Sequence, residues 1–358
     1  MFRVILGWIH AILNWILLRL NLVSHHQVGW TSLNRKTGEL EREQEPVMKK
    51  IKLAFLFSPF MEWLDRTHAF RMYVHNKTLK QGKAEARPST HQQIKGFVDY
   101  YKINMNDFDP SDIEKYGSFE DFFVRKHREG TRPIAEPENP KRAIVCADSR
   151  VVTYDTVAES KKLWIKGTDF NMTNLVMDVN IGKRFENGAV ASFRLSPQDY
   201  HRYHSPVNGV VKEFRSMPGE YYEVDPIAIN SDINILTSNA RDYILIDSRE
   251  FGEVLFVAIG ASEVGTVYRS IHEKYRKRGT EIKKGDELGI FQFGGSSIVV
   301  AFQQGRIKFD DDLRDCSTNR IQVAVEMGMS LGVATRYSQP NGPNAGLGAS
   351  YADVVKEE

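Results

Sequence analysis

The sequence predicts an α+β protein, with a mostly helical N-terminal third followed by a mainly antiparallel β domain that has room for two halves of similar topology. Two observations predict this. Up to Gly130 the apolar residues fall in long, aromatic-rich segments at helical spacing, whereas from Ala143 onward short β-branched and aromatic runs alternate with Gly, Pro, Asn and Asp. Helical segments between those later runs are too few for a doubly wound parallel sheet.

The chain has 358 residues and a mass of 41.0 kDa, enough for one large domain or two smaller ones. A net charge of +2, from 48 basic and 46 acidic residues, gives no support to a nucleic-acid partner, which calls for a large basic excess or patch. The two cysteines, Cys146 and Cys316, lie far apart and have no neighbour at metal-ligand spacing, so a disulfide framework and a thiolate zinc site are both disfavoured.

Residues 1–30 form the first unit. Phe2, Ile5, Leu6, Ile9, Leu13, Ile16, Leu17 and Leu20 recur at helical spacing, and no acidic residue precedes Glu39. Arg3, His10, Asn14 and Arg19 interrupt the run too often for a bilayer span. A helix lying in a membrane interface with Trp8 and Trp15 as anchors, an organelle-targeting segment, and a helix packed on the protein's own core all remain open.

Residues 34–50 read as an exposed, charged connector with Gly38 and Pro46. Residues 51–140 form the helical N-terminal region, in which Ser118 caps a helix carrying Phe119, Phe122 and Phe123 on one face. Residues 141–336 form the β-rich domain, with strands expected at Ile144–Thr156, Ala189–Leu195, Val210–Phe214, Tyr243–Ile246, Val254–Ile259, Ile298–Phe302 and Ile321–Val325. The tail, 337–358, is rich in Gly, Pro, Asn and Ser and reads as loose.

Three clusters in the β-rich domain carry groups able to react. Asp148 stands at a strand interruption; His201 and His204 lie three apart between Pro197 and Pro206; Ser296 follows Gly294-Gly295 at the mouth of an apolar strand. An acid, a histidine and a serine from separate segments can form a proton relay in which the histidine takes the serine proton. Each also has a plain explanation: a turn cap, hydrogen-bonded core histidines, a serine after a turn. There is no His-Glu-x-x-His metal pattern, and the residues around Ser296 run from turn into strand rather than through the Gly-x-Ser-x-Gly elbow of esterases.

The order of these motifs resembles the phosphatidylserine decarboxylase proenzyme family. The resemblance rests on Phe122-Phe123-x-Arg125, Arg132-Pro133-Ile134, Ala147-Asp148, Asp199-Tyr200-His201-Arg202-x-His204-x-Pro206-x-Asn208-Gly209, Gly219-x-Tyr221-Tyr222-x-Val224-x-Pro226, Val264-Gly265 and Phe293-Gly294-Gly295-Ser296-Ser297. It departs from the common pattern at Ser149, where glycine is usual, and at Ser297, where threonine is frequent; neither change removes a reacting group.

The resemblance implies a self-cleaving enzyme in which Asp148, His204 and Ser296 are the processing triad. The cut falls between Gly295 and Ser296, Ser296 becomes a pyruvoyl cofactor, and Gly294 and Ser297 flank that group. His201 assists decarboxylation, and no metal is required. It implies phosphatidylserine in a membrane surface as substrate, large and small chains that stay associated, and a homodimer as an admissible assembly. A mitochondrial inner membrane or an endomembrane is the expected location. Soluble relatives that act on free, including aromatic, amino acids keep a cytosolic alternative open, and an uncleaved Ser-His-Asp hydrolase or a non-catalytic β-domain are the readings of other classes.

Overall fold

In the computed structural model the residues described are 31–43, 86–163, 171–219, 235–260, 270–292 and 296–335. The readings made for residues 1–30, 51–85 and 337–358, for the stretch from Tyr221 to Pro226, for Val264-Gly265 and for Gly294-Gly295 lie outside them.

In chain order the elements are β1 (Thr31–Asn34), β2 (Leu40–Arg42), α1 (Gln93–Tyr101), β3 (Phe108–Asp109), α2 (Phe119–Phe123), β4 (Lys126–His127), β5 (Arg142–Ile144) and β6 (Ser149–Tyr154). There follow α3 (Val157–Leu163), α4 (Met172–Val176), α5 (Val179–Phe185), β7 (Ala189–Leu195), β8 (Arg202–His204), β9 (Gly209–Met217), α6 (Ile235–Ser238), β10 (Arg241–Ser248) and β11 (Gly252–Ile259). The chain closes with β12 (Glu281–Ile282), β13 (Glu287–Ile290), β14 (Ser296–Phe302), β15 (Ile307–Phe309), α7 (Asp311–Thr318), β16 (Gln322–Val325) and β17 (Ser330–Ala334). The fold is thus α+β around a mixed sheet.

That sheet has ten strands in the order β12-β9-β10-β11-β14-β7-β6-β16-β1-β2. Its neighbours are antiparallel except β1 and β16, which run parallel with Ser32 opposite Gln322. Three smaller ladders flank it: β15-β17-β5, β13-β8 and β3-β4. The long strands β10, β11 and β14 lack the in-out alternation of a half-exposed sheet, and every residue from Val254 to Ile259 and from Ile298 to Phe302 is 0 % exposed. A strand covered on both faces must be apolar at every position, which is why these runs were readable in the sequence.

A satellite cluster of Ile94, Tyr116, Phe119, Phe122 and Phe123 joins α1 and α2. The expected cap is in place, Ser118 Oγ accepting from the Asp121 amide at 3.2 Å.

Of residues 34–50, read as an exposed connector, 36–42 are exposed as expected, but the described part is not an irregular linker. Residues 31–42 form a hairpin turned through Gly38, whose φ of +75° favours glycine, and the hairpin adds two strands to the main sheet. The physical reason is a buried charge. Glu43, 5 % exposed, turns inward to meet the Arg194 guanidinium on β7 (Nη2 to Oε2, 2.6 Å), with Ser196 Oγ also donating to it.

Candidate active site

The segment that links β7 to β8 lies against the chain on both sides of the Gly295–Ser296 bond. On the far side, Leu195 at the end of β7 is the ladder partner of Ser296, the first residue of β14. On the near side, β8 pairs with β13, and the Phe291 amide donates to the His201 carbonyl at 2.8 Å. Two internal anchors set the conformation of this segment. The Asp199 carboxylate accepts from the Ser196 amide at 2.7 Å and from Arg150, while Arg125 donates to the Gln198 carbonyl at 2.7 Å. Arg125 is buried between Phe108 and Phe122, 4.3 and 4.8 Å from their ring centres, and burial pulls its pKa down to about 10, so it keeps its charge at neutral pH. The Phe122-Phe123-x-Arg125 motif therefore braces the histidine segment.

Both predicted histidines are buried beside that bracket. His201, 0 % exposed, donates from Nδ1 to the Asp199 carbonyl at 2.9 Å, and its ring centre lies 3.9 Å from that of Phe123. His204 Nδ1 lies 2.9 Å from the Gly285 carbonyl oxygen and Nε2 lies 3.1 Å from the Tyr200 hydroxyl. A carbonyl only accepts, so Nδ1 carries the proton of the neutral ring and Nε2 presents its lone pair to Tyr200. Burial lowers the His204 pKa, outweighing the opposing pull of the Gly285 bond and the Glu287 charge, and so favours the neutral, basic form. Burial pushes the Tyr200 phenol upward, which keeps it a donor.

Asp148 is bound by its own set of donors. It accepts from Arg132 Nη2 at 2.8 Å and Nε at 3.1 Å, from His127 Nε2 at 3.2 Å and from the Met327 amide at 2.8 Å. Burial alone would raise its pKa, but the His127 and Arg132 bonds and the Arg132 charge more than reverse this and hold the carboxylate well below its usual range. Among the described residues His204 and Asp148 share no hydrogen bond, and the tautomer-setting contact expected from Asp148 is made by the Gly285 carbonyl. Ser297 is 1 % exposed and donates from Oγ to the Phe193 carbonyl at 3.0 Å. Ser296 is placed through its backbone pairing alone, and Gly294 and Gly295 fall outside the described residues.

Sequence reasoning gave no role to Arg132, Tyr200 or His127. The first two sit within quoted motifs, and that was the available signal. His127 had none: its partners come from β3, from residue 148 and from residue 200. Among the described residues no group of three His, Cys, Asp or Glu side chains is placed to hold a metal ion.

A sequence model of the family described as phosphatidylserine decarboxylase matches residues 119–333, a span that holds Asp148, both histidines and the Gly295–Ser296 bond. The chain belongs to the phosphatidylserine decarboxylase family. It is 36% identical over 332 residues to phosphatidylserine decarboxylase proenzyme 3 of Schizosaccharomyces pombe, covering 91% of this chain and 33% of that protein. It is 41% identical over 265 residues to proenzyme 2 of Oryza sativa subsp. japonica, covering 74% of this chain and 42% of that protein. With the phosphatidylserine decarboxylase proenzyme of Fusobacterium nucleatum it shares 33% identity over 303 residues, 84% of this chain and 96% of that one. The chain thus spans less than half the length of the first two relatives and nearly all of the bacterial one.

Proposed function

We propose that this chain is a self-cleaving decarboxylase that converts phosphatidylserine to phosphatidylethanolamine and carbon dioxide, using a pyruvoyl group made from Ser296. The observation that carries the reading is the bracket around the Gly295–Ser296 bond: Leu195 pairs with Ser296 on one side and His201 accepts from Phe291 on the other. The two buried histidines are thereby tied to the residues that flank the bond.

In self-cleavage His204 is the base. Its Nδ1–H is committed to Gly285, its Nε2 lone pair is free to take the Ser296 hydroxyl proton once the Tyr200 hydroxyl gives way, and burial keeps the ring neutral. The serine oxygen attacks the Gly295 carbonyl carbon, the Gly295–Ser296 C–N bond breaks, and the amine takes the proton. Elimination across Cα–Cβ of residue 296 then releases the Gly295 carboxylate, and water replaces the nitrogen, which leaves as ammonia. Asp148 serves this step as a fixed, fully charged carboxylate near the base, its charge raising the basicity that burial depresses.

The residues present fit a pyruvoyl group at position 296. The position opens a strand that is buried from Ser297 to Phe302 and held between β7 and β11, Ser297 fastens the next residue through its side chain, and His201 is buried next to the preceding segment. Once formed, that group supplies the electron sink for the charge left by departing carbon dioxide. His201, held by the Asp199 carbonyl and Phe123, is assigned the delivery of the replacing proton.

The small chain, 296–358, would contribute β14, β15, α7, β16 and β17. β14 lies between β11 and β7, β16 lies between β6 and β1, and β17 pairs with β5, so strands of the large chain grip it in three places. The helical N-terminal region and the amphipathic segment 1–30 are assigned to the membrane surface, where a lipid headgroup must be met; no described helix is long and apolar enough to cross a membrane.

Intact-mass analysis of the wild type and Ser296→Ala tests the processing step. The wild type is expected to give two chains, the smaller one lacking ammonia relative to a serine terminus, and the variant a single 41.0 kDa chain. Turnover with phosphatidylserine vesicles, and none with free amino acids, is expected of the cleaved protein; turnover of free amino acids alone would overturn the lipid assignment.

A further inference from the structure

We infer that His127 is a positioning residue for self-cleavage, clamping Asp148 through Nε2 and holding, through its ring, the tyrosine that meets the base His204. The inference rests on the reading of Asp148, His204 and Ser296 as processing machinery. It adds to that machinery a histidine outside all the motifs named above.

The register of a two-residue ladder sets the position. β3 and β4 pair so that Phe108 stands opposite His127, and the two rings stack with centres 4.8 Å apart at 17°. On its other side the imidazole meets Tyr200 at 4.0 Å, and Tyr200 in turn stacks on His204 and reaches Nε2 with its hydroxyl. The side chain of His127 is 7 % exposed, and its Nε2 donates to Asp148 Oδ2 at 3.2 Å. One ring therefore touches both the acid and the hydroxyl donor of the base.

A simple slot-filler would look different. Phenylalanine fits between two aromatic rings and carries no polar atoms, whereas His127 Nδ1 is buried with no hydrogen-bond partner among the described residues. An unpaired buried nitrogen is a cost, and the N–H given to Asp148 is the compensation for carrying it. Arg132 already neutralises Asp148, so His127 is not needed for charge balance; what it adds is a fixed direction for one carboxylate oxygen and a fixed plane for Tyr200.

Among the described residues, the charged and titratable groups facing His204 include Glu287, Asp148, His127 and Tyr200. The first two raise its basicity, and a protonated imidazole at 127 lowers it. Removing the imidazole should therefore move the acid limb of self-cleavage to higher pH, a shift that lost packing alone would not produce.

The test follows conversion of the full chain to its two pieces against time and pH, with folding checked by the urea midpoint. His127→Phe keeps the ring and loses the donor; it should slow cleavage about tenfold or more through misplacement of the reacting groups and shift the acid limb upward. His127→Gln, whose amide can reach Asp148, should cleave faster than the phenylalanine variant. If the phenylalanine variant fails to fold, His127→Leu reads the same way. Wild-type rate and an unmoved profile in the folded apolar variant would overturn the proposal, as would a glutamine variant no faster than the apolar one. Two pieces from Ser296→Ala would instead sink the processing reading itself, a result separate from any seen at position 127.

Discussion

The imidazole of His204 hangs from the carbonyl of Gly285, 2.9 Å from Nδ1, and this bond leaves Nε2 as the only basic atom of the ring. Because burial lowers its pKa, the neutral form persists below the ordinary histidine value of about 6.5. Self-cleavage should accordingly have its acid limb below pH 6.5, and His204→Gln should leave the chain intact. The same shift has a stability sign. Below the ordinary value the unfolded chain takes up a proton the folded one refuses, so this group's contribution is lost as the pH falls. Time courses of cleavage between pH 5 and 8 in about half-unit steps check the first point.

Asp148→Asn should block or severely slow cleavage and also cost about 2 kcal/mol, since it takes from the half-buried Arg132 its closest carboxylate and leaves only Asp107 and Glu326, at 3.7 and 3.9 Å. The Asp148 pKa is depressed in the fold, so its stabilisation is present above the ordinary carboxylate value of about 4 and fades as the pH falls toward the folded one. Urea midpoints at neutral and acid pH should converge for wild type and variant at the acid end. A gap that stays constant would contradict the assignment of charge to this residue.

The pair Glu43–Arg194 fastens the first hairpin to the strand beside β14. Glu43→Gln should destabilise the chain by about 3 kcal/mol, because a buried guanidinium loses its counter-charge, whereas Glu43→Met with Arg194→Met should recover most of that loss. Thermal melts of the wild type, Glu43→Gln and the double variant check it. Non-recovery would mean that Glu43 acts through Ser196 rather than through Arg194.

Once cleaved, the pieces should not separate without denaturant. The small chain's β14 and β16 are each flanked on both sides by strands of the large chain, and β14 is buried along its whole apolar run. Size-exclusion chromatography of cleaved protein should give one peak that resolves into two bands only on a denaturing gel.

Much of the β-rich domain could be read from residue order. The seven expected strand runs fall on β5 to β7, β9, β10, β11, β14 and β16, and Ala189–Leu195 coincides with β7 to the residue. Buried strands must be apolar throughout, and that requirement is written into the chain locally. The candidate residues were also readable, since Asp148, His201, His204 and Ser296 each lie in a short motif with its own turn residues.

The partners of those residues were not. Whether the acid at 148 meets His204, or Arg132 and His127 instead, depends on how the β3-β4 ladder and the 195–204 segment pack, and no spacing in the sequence encodes it. The hairpin at 31–42 was hidden for a related reason: its charged composition looks like a solvated connector until a guanidinium from β7 is brought within 2.6 Å of Glu43. By itself the sequence determined the family, the core strands and the candidate residues. Only the tertiary structure decided which neighbour sets each group's charge and tautomer, because those are properties of contacts between segments far apart in the chain.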